Sequence, residues 1–310
     1  MLRSRNTIPA ALSVLVLSLA GCGSESPRPS ESVPQRVTVA VTSYPLLAMA
    51  QRMAGPAAEV ELVIQGQSTS PEWKPTPDAI RTMQDATRIL INGGDYEPWL
   101  QRVTVPRSRL IDTAKGYYGQ FIRIPDATIH QHGPEGSHSH PGVVWATWLD
   151  PQLGLSQMEQ TRDVLLTLLP DHAADIRQAA DGMADEFRQL DRRVEEIAEA
   201  TSESSVTVLG DAPLYQYLVQ RLGWELHYVH LPSHGPLSDD KRASLTSAIE
   251  EHQPSVVWVQ SALSDELTAL KGDSEVPFVL IDLCETPQEE GSLTERLMQN
   301  LDRIQSAVSH

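Results

Sequence analysis

The 310 residues carry 41 acidic against 24 basic side chains, a formal net charge of −17, and only two cysteines, Cys22 and Cys284. A surface this acidic repels phosphate backbones, which argues against nucleic acid as a partner, and two thiols so far apart give no disulfide framework. The fold must be held by its own core, and the stretch from about residue 35 onward is long enough for two lobes of ordinary size.

In chain order, the first element is a leader. Arg3 and Arg5 precede an apolar run from Ile8 to Ala20, which ends in Leu19-Ala20-Gly21-Cys22. A positive start, a short apolar core and small residues before a cleavage point describe a secretory signal, since a membrane span needs about 20 apolar residues. Leu-Ala-Gly-Cys resembles the lipobox of bacterial lipoproteins. That likeness implies removal of the residues before Cys22 and lipidation of its thiol, with the chain anchored to a membrane and facing the periplasm or the cell exterior. Residues 23–35, GSESPRPSESVPQ, are too polar to bury a core and read as a tether.

From residue 36 onward, runs of β-branched residues alternate with helical patterns. RVTVAVTS, AEVELVIQ, TRILING and SRLIDTA are strand candidates in the first half, with helices over Leu46–Met53 and Asp78–Asp85. SSVTVLGD, WELHYVHL, PSVVWVQS and VPFVLIDL repeat the scheme in the second half, with helices over Tyr215–Leu222, Lys241–His252 and Ser292–Ser306. Between the halves, Ile176, Ala179 or Ala180, Met183, Phe187, Leu190, Val194 and Ile197 recur at three- and four-residue spacing, one apolar stripe on a helix opened by Pro170. At 1.5 Å per residue, about 30 residues reach roughly 45 Å, longer than one lobe is wide. The expected fold is α/β: two similar lobes, 36–169 and 201–310, with largely parallel four-stranded sheets joined by one long backbone helix, 170–200. Open α/β sheets bind ligands outside the carboxyl ends of their strands, which places a cleft between the lobes.

VTSYPLLAMAQRMAG (Val41 to Gly55), PTPDAIRTMQDATRILINGGDYEPWLQRV (Pro75 to Val103) and WLDP (Trp148 to Pro151) together resemble the metal-binding lipoproteins of bacterial zinc and manganese ABC importers. The resemblance implies a solute-binding protein that captures a divalent metal and delivers it to an ABC permease, acts as a monomer and makes or breaks no covalent bond. Three positions where that family usually keeps histidine ligands hold Pro71, Ala146 and Gly210, the last beside Asp211. The carboxylate expected near the last strand has Asp282 as its counterpart.

The stretch IHQHGPEGSHSHPG, residues 129–142, holds four of the ten histidines. Neutral imidazole is the commonest metal ligand at neutral pH, and four-coordinate nitrogen sites suit zinc. Three readings stand. His130, His132, His138 and His140 replace the missing ligands, with Glu72 or Asp282 completing the set; or the loop collects metal beside a degenerate site; or it is a polar surface loop without a metal role. Histidine-rich ligation favours zinc, with manganese as the alternative, and protons should compete for the imidazoles below about pH 6.

Other residues carry paired expectations. His227, His230 and His234 form either a second metal cluster or, since residues three apart on a strand face opposite sides, one is buried and hydrogen-bonded while another lines the cleft. Tyr44 and Trp73 line the cleft or pack, Asp211 ligates or caps a helix, and Cys284 is a small buried thiol. Two rivals come from other classes. One is a zinc hydrolase using Glu135 or Glu72, but no H-E-x-x-H or G-x-S-x-G pattern supports it. The other is an interaction module that has lost its metal.

Overall fold

A computed structural model describes residues 36–64, 73–124, 130–131, 137–138, 142–232, 237–260 and 275–309, with 130–131 and 137–138 as backbone alone. The leader, Cys22, the tether, Pro71, Glu72, His132, Glu135, His140 and His234 lie outside the described residues.

The eight strands expected from β-branched runs form, in two parallel sheets. In the first half β1 (Val37–Val41), β2 (Ala58–Leu62), β3 (Arg88–Ile91) and β4 (Leu110–Asp112) pair in the order β2-β1-β3-β4. A two-stranded hairpin follows, β5 (His130–Gln131) against β6 (Ser137–His138). In the second half β7 (Thr207–Gly210), β8 (Glu225–Tyr228), β9 (Val256–Val259) and β10 (Phe278–Leu280) pair in the order β10-β9-β7-β8. Counted within each half, both sheets run second, first, third, fourth strand, so the two windings are the same. Residues Val256–Val259 are buried along their whole length, as expected for a strand of a parallel sheet covered on both faces.

The helices start where short polar side chains satisfy free N–H groups. Ser43 caps α1 (Tyr44–Ala54) and Thr76 caps α2 (Pro77–Asp85). Asp150 caps α3 (Pro151–Leu168), a helix absent from the sequence expectation, and its proline occupies the first turn, where no N–H is missed. A short 3-10 turn, Pro170–His172, precedes α4 (Ala173–Ala200), whose 28 residues span about 42 Å. The foreseen stripe of Ile176, Ala180, Met183, Phe187, Leu190, Val194 and Ile197 is buried throughout. Beyond it come α5 (Gln216–Leu222), α6 (Asp239–His252) and α7 (Leu293–Val308), the last opened by a capping box of Ser292 and Glu295.

Helix α4 packs against α1 and α3 from the first half and against α5 and α7 from the second. One buried cluster therefore runs from Val39 and Leu90 through Phe187 to Val208 and Trp258. The α3–α4 approach requires a glycine: a Cβ at Gly154 would lie 2.6 Å from the Phe187 ring. Arg221 of α5 bonds both Asp150 at the start of α3 (2.9 Å) and Asp191 of α4 (2.6 Å), tying the halves at the helix layer.

Candidate metal-binding site

The carboxyl ends of the central strands present buried acids from both sheets. After β3 the chain turns through Asn92 to Glu97, and the Glu97 carboxylate is enclosed by donors: the Thr42 hydroxyl, Asn92 N–H (2.7 Å) and Gly93 N–H (3.1 Å). Burial pushes its pKa up to about 7, although all three hydrogen bonds pull the other way. After β7, Asp211 accepts from the Tyr215 hydroxyl (2.7 Å) and from Gln260 N–H (2.7 Å), and burial raises it to about 6. Asp211 is not a helix cap: the turn Pro213–Tyr215 starts from Ala212 with no side-chain cap.

After β10 the chain makes a turn through Asp282, Leu283, Cys284 and Glu285. Asp282 accepts from Arg296 at both oxygens (Nε 2.7 Å, Nη2 2.9 Å) and also from Cys284 N–H (2.8 Å). Its charge is thus neutralised inside the chain. Glu285 is the opposite case. Its Oε1 is buried with no hydrogen-bond partner among the described residues, and burial, with a smaller push from Asp282, raises it to about 7. The phenols of Tyr96, beyond β3, and Tyr215, beyond β7, are raised chiefly by burial, and both also feel the Glu285 charge. Glu285 therefore lies where the two halves meet. A buried carboxylate oxygen without a donor is costly unless a cation or water completes it, which makes Glu285 the best-fitted described side chain for a metal.

The histidine stretch springs from the same neighbourhood. Its flanks pair antiparallel: Arg123 bridges Val143, Ile124 N–H bonds Gly142 O (3.0 Å) and Val144 N–H bonds Ile122 O (2.9 Å). Further out, His130 stands directly opposite His138 in the β5–β6 ladder, so residues eight apart in sequence occupy adjoining positions. At the foot of this stem Trp145 packs on Tyr96 (centroids 5.0 Å apart), and its carbonyl accepts from Asn92. Tyr96 thus touches both the root of the hairpin and the field of Glu285.

The remaining expectations resolve individually. Position 146 is a fully buried alanine, and a Cβ at Gly210 would meet Ala212 O at 2.9 Å and the Tyr215 ring at 3.0 Å, so position 210 has no room for any side chain, histidine included. Trp73 packs edge-on against Trp99, and Tyr44 lies under the Arg296 guanidinium at 4.9 Å. His227 stacks on His252 (3.9 Å, 7°) beside Glu225, whereas His230 meets Tyr228, so the two do not form one cluster. Cys284 is a buried thiol, held high by burial. Among the described residues no group of three His, Cys, Asp or Glu side chains is spaced to hold a metal ion.

Sequence reasoning named Asp282 as the acid and did not single out Glu285. The available signal was Arg296, which falls on the buried face of α7 beside Leu293, Leu297 and Leu301; a charge in an apolar stripe announces a partner. The motif WLDP is explained as well: Trp148 donates Nε1–H to Leu283 O (2.8 Å), Asp150 caps α3, and Pro151 opens it.

The family model described as the periplasmic component A of the zinc-uptake complex, ZnuA, matches residues 39–307, and the chain belongs to that family. It is a family of solute-binding proteins, not of enzymes, which removes the hydrolase alternative. The chain is 25% identical over 268 residues to the zinc-binding lipoprotein AdcA of Streptococcus pneumoniae, covering 82% of this chain and 50% of that one. It thus spans about half the length of that relative. It is 24% identical to the high-affinity zinc uptake system protein ZnuA of Bacillus subtilis, with 94% of each chain covered, and 22% identical to the manganese-binding lipoprotein MntA of Halalkalibacterium halodurans, with 96% of each covered. The Zn(II)-bound ZnuA-like domain of S. pneumoniae AdcA has the same fold, with a TM-score of 0.70, 19% identity and coverage of 89% of this chain and 100% of that one.

Proposed function

We propose that the chain captures a divalent transition metal between its two sheets, zinc first and manganese second, and passes it to an ABC permease. The observation that carries this reading is the buried, unpartnered carboxylate oxygen of Glu285 in a chain matched to a metal-uptake family from residue 39 to 307. Glu285 supplies the acidic ligand, and His130, His132, His138 and His140 of the hairpin supply imidazoles, in place of the side chains that positions 146 and 210 lack. Asp282 stands behind Glu285, since Arg296 holds both its oxygens. Glu72 completes the set from the first half. Imidazole-rich ligation supports zinc over manganese, which takes more oxygen donors.

The same reading covers the rest of the chain. Residues 1–22 direct export, Cys22 carries the lipid, residues 23–35 tether a monomeric body at the membrane face, and 36–169 and 201–310 act as lobes about the helix 170–200. Lipoprotein relatives support the anchor.

The test is a calorimetric titration of the full chain with zinc and with manganese, beside a variant in which the four hairpin histidines are alanine. An equimolar zinc site that weakens by about 100-fold or more in the variant, roughly 2.7 kcal/mol, is expected. Unchanged zinc binding would remove the hairpin from the ligand set, and a parent that binds neither metal would overturn metal capture.

A further inference from the structure

The turn that carries Glu285 is held far more tightly than its length requires. Four of its backbone groups have partners brought in from elsewhere: Asp282 N–H donates to Asn300 Oδ1 (2.9 Å), Asn300 Nδ2 donates to Asp282 O (2.7 Å), Trp148 Nε1 donates to Leu283 O (2.8 Å), and Arg296 Nη1 donates to Thr286 O (2.9 Å); a fifth, Cys284 N–H, donates within the turn to Asp282 Oδ1 (2.8 Å). Cys284 sits at φ +54°, the left-handed region that a side chain with a Cβ disfavours. Such a conformation persists only where the surroundings over-determine it, and here it turns the chain so that the residue after Cys284 enters the interior.

Among the described residues, Arg296 is the one side chain that grips both ends of this turn. Two of its N–H groups take the Asp282 carboxylate and a third takes the Thr286 carbonyl, so the guanidinium brackets Glu285 without bonding to it. Its side chain is 4% exposed. Its face lies over the Tyr44 ring, at the start of α1 in the other half. A planar fork with fixed donor directions can span a carboxylate and a carbonyl together, which an ammonium on a flexible stem cannot.

We infer that Arg296 is a positioning residue of the metal site: it engages Asp282 as an internal counter-ion and locks the turn from Asp282 to Thr286 against α1, leaving Glu285 as the carboxylate offered to the cargo. The inference rests on the reading that metal is captured beside Glu285. It gives the two acids of one turn separate tasks, Asp282 for geometry and Glu285 for the ion. It also makes the offered carboxylate rigid before metal arrives, so little ordering remains to be done on binding.

The full chain and its Arg296→Lys variant are compared by zinc calorimetry, thermal melting and amide hydrogen exchange of the peptide around residues 281–287. The lock predicts a folded Arg296→Lys protein whose zinc affinity falls by about 10–100-fold, the range for residues that orient a ligand from behind. Its turn exchanges fast without zinc and slows when zinc is added, whereas the parent turn is slow in both states. A merely structural role moves the melting temperature but leaves zinc affinity and the zinc-dependence of exchange alone. The paired variant Arg296→Met with Asp282→Leu, which leaves neither charge stranded, is expected to recover melting but not affinity.

Parent-like affinity in Arg296→Lys overturns the inference, and so does tighter binding, which would make the guanidinium a competitor for the ion. If the parent binds neither zinc nor manganese, metal capture fails, and exchange alone still judges the lock: equal exchange of the turn in parent and Arg296→Lys overturns it.

Discussion

Two glutamates stand a few residues beyond the carboxyl end of a parallel strand, one in each half, and each is raised to about 7 by burial. Glu97 is surrounded by a hydroxyl and two backbone N–H groups; Glu285 has a buried oxygen with none among the described residues. The difference separates structure from function. Donors built around an acid show that the chain itself uses the negative charge, to knit Thr42 to the turn after β3. Donors withheld from the buried oxygen of a second acid leave an unmet demand, which a polypeptide selected for stability alone would remove.

The largest effect that sharpens this comparison is on the stability of the metal-free protein. A carboxylate raised from 4.5 to about 7 favours folding fully below about pH 4.5, and that contribution is lost as pH rises through about 7. Glu285→Gln removes the charged form, so urea unfolding at about pH 8 should show the variant more stable than the parent by up to about 3 kcal/mol, with the gain gone by about pH 4.5. Glu97→Gln should fall short of that gain by about 1–3 kcal/mol, because its amide would turn a donor toward the N–H of Asn92 or Gly93. Equal gains would erase the distinction between the two acids. The smallest effect is expected for Thr42→Val, which deletes one of the donors to Glu97 and should cost about 1 kcal/mol in the same assay without altering zinc affinity.

What the sequence could and could not reveal follows from the range of the forces involved. The strands and α4 are written in local periodicity, so Ile176 to Ile197 announced a spanning helix and the alternating elements announced parallel sheets. Helix α3 was missed because its buried face is not uniformly apolar: Gly154, Gln157 and Thr161 lie inside, with Gln157 bonded to Asn92 and Thr113. The different surroundings of Asp282 and Glu285 were hidden for a related reason. Nothing within LIDLCE says which acid will be neutralised; that is decided by Arg296, fourteen residues beyond Asp282, once α7 packs on the turn. The vacated positions were legible as Ala146 and Gly210, and only the fold shows that the second has no room for a side chain.

The most direct test of the central claim is zinc calorimetry on three full-length proteins at about pH 7.5: the parent, Glu285→Gln and Glu97→Gln. Expected are an equimolar site in the parent, a loss of about 100-fold or more in Glu285→Gln, which is roughly 2.7 kcal/mol, and a change within about threefold in Glu97→Gln. Parent-like binding by Glu285→Gln, or a loss confined to Glu97→Gln, would contradict the claim.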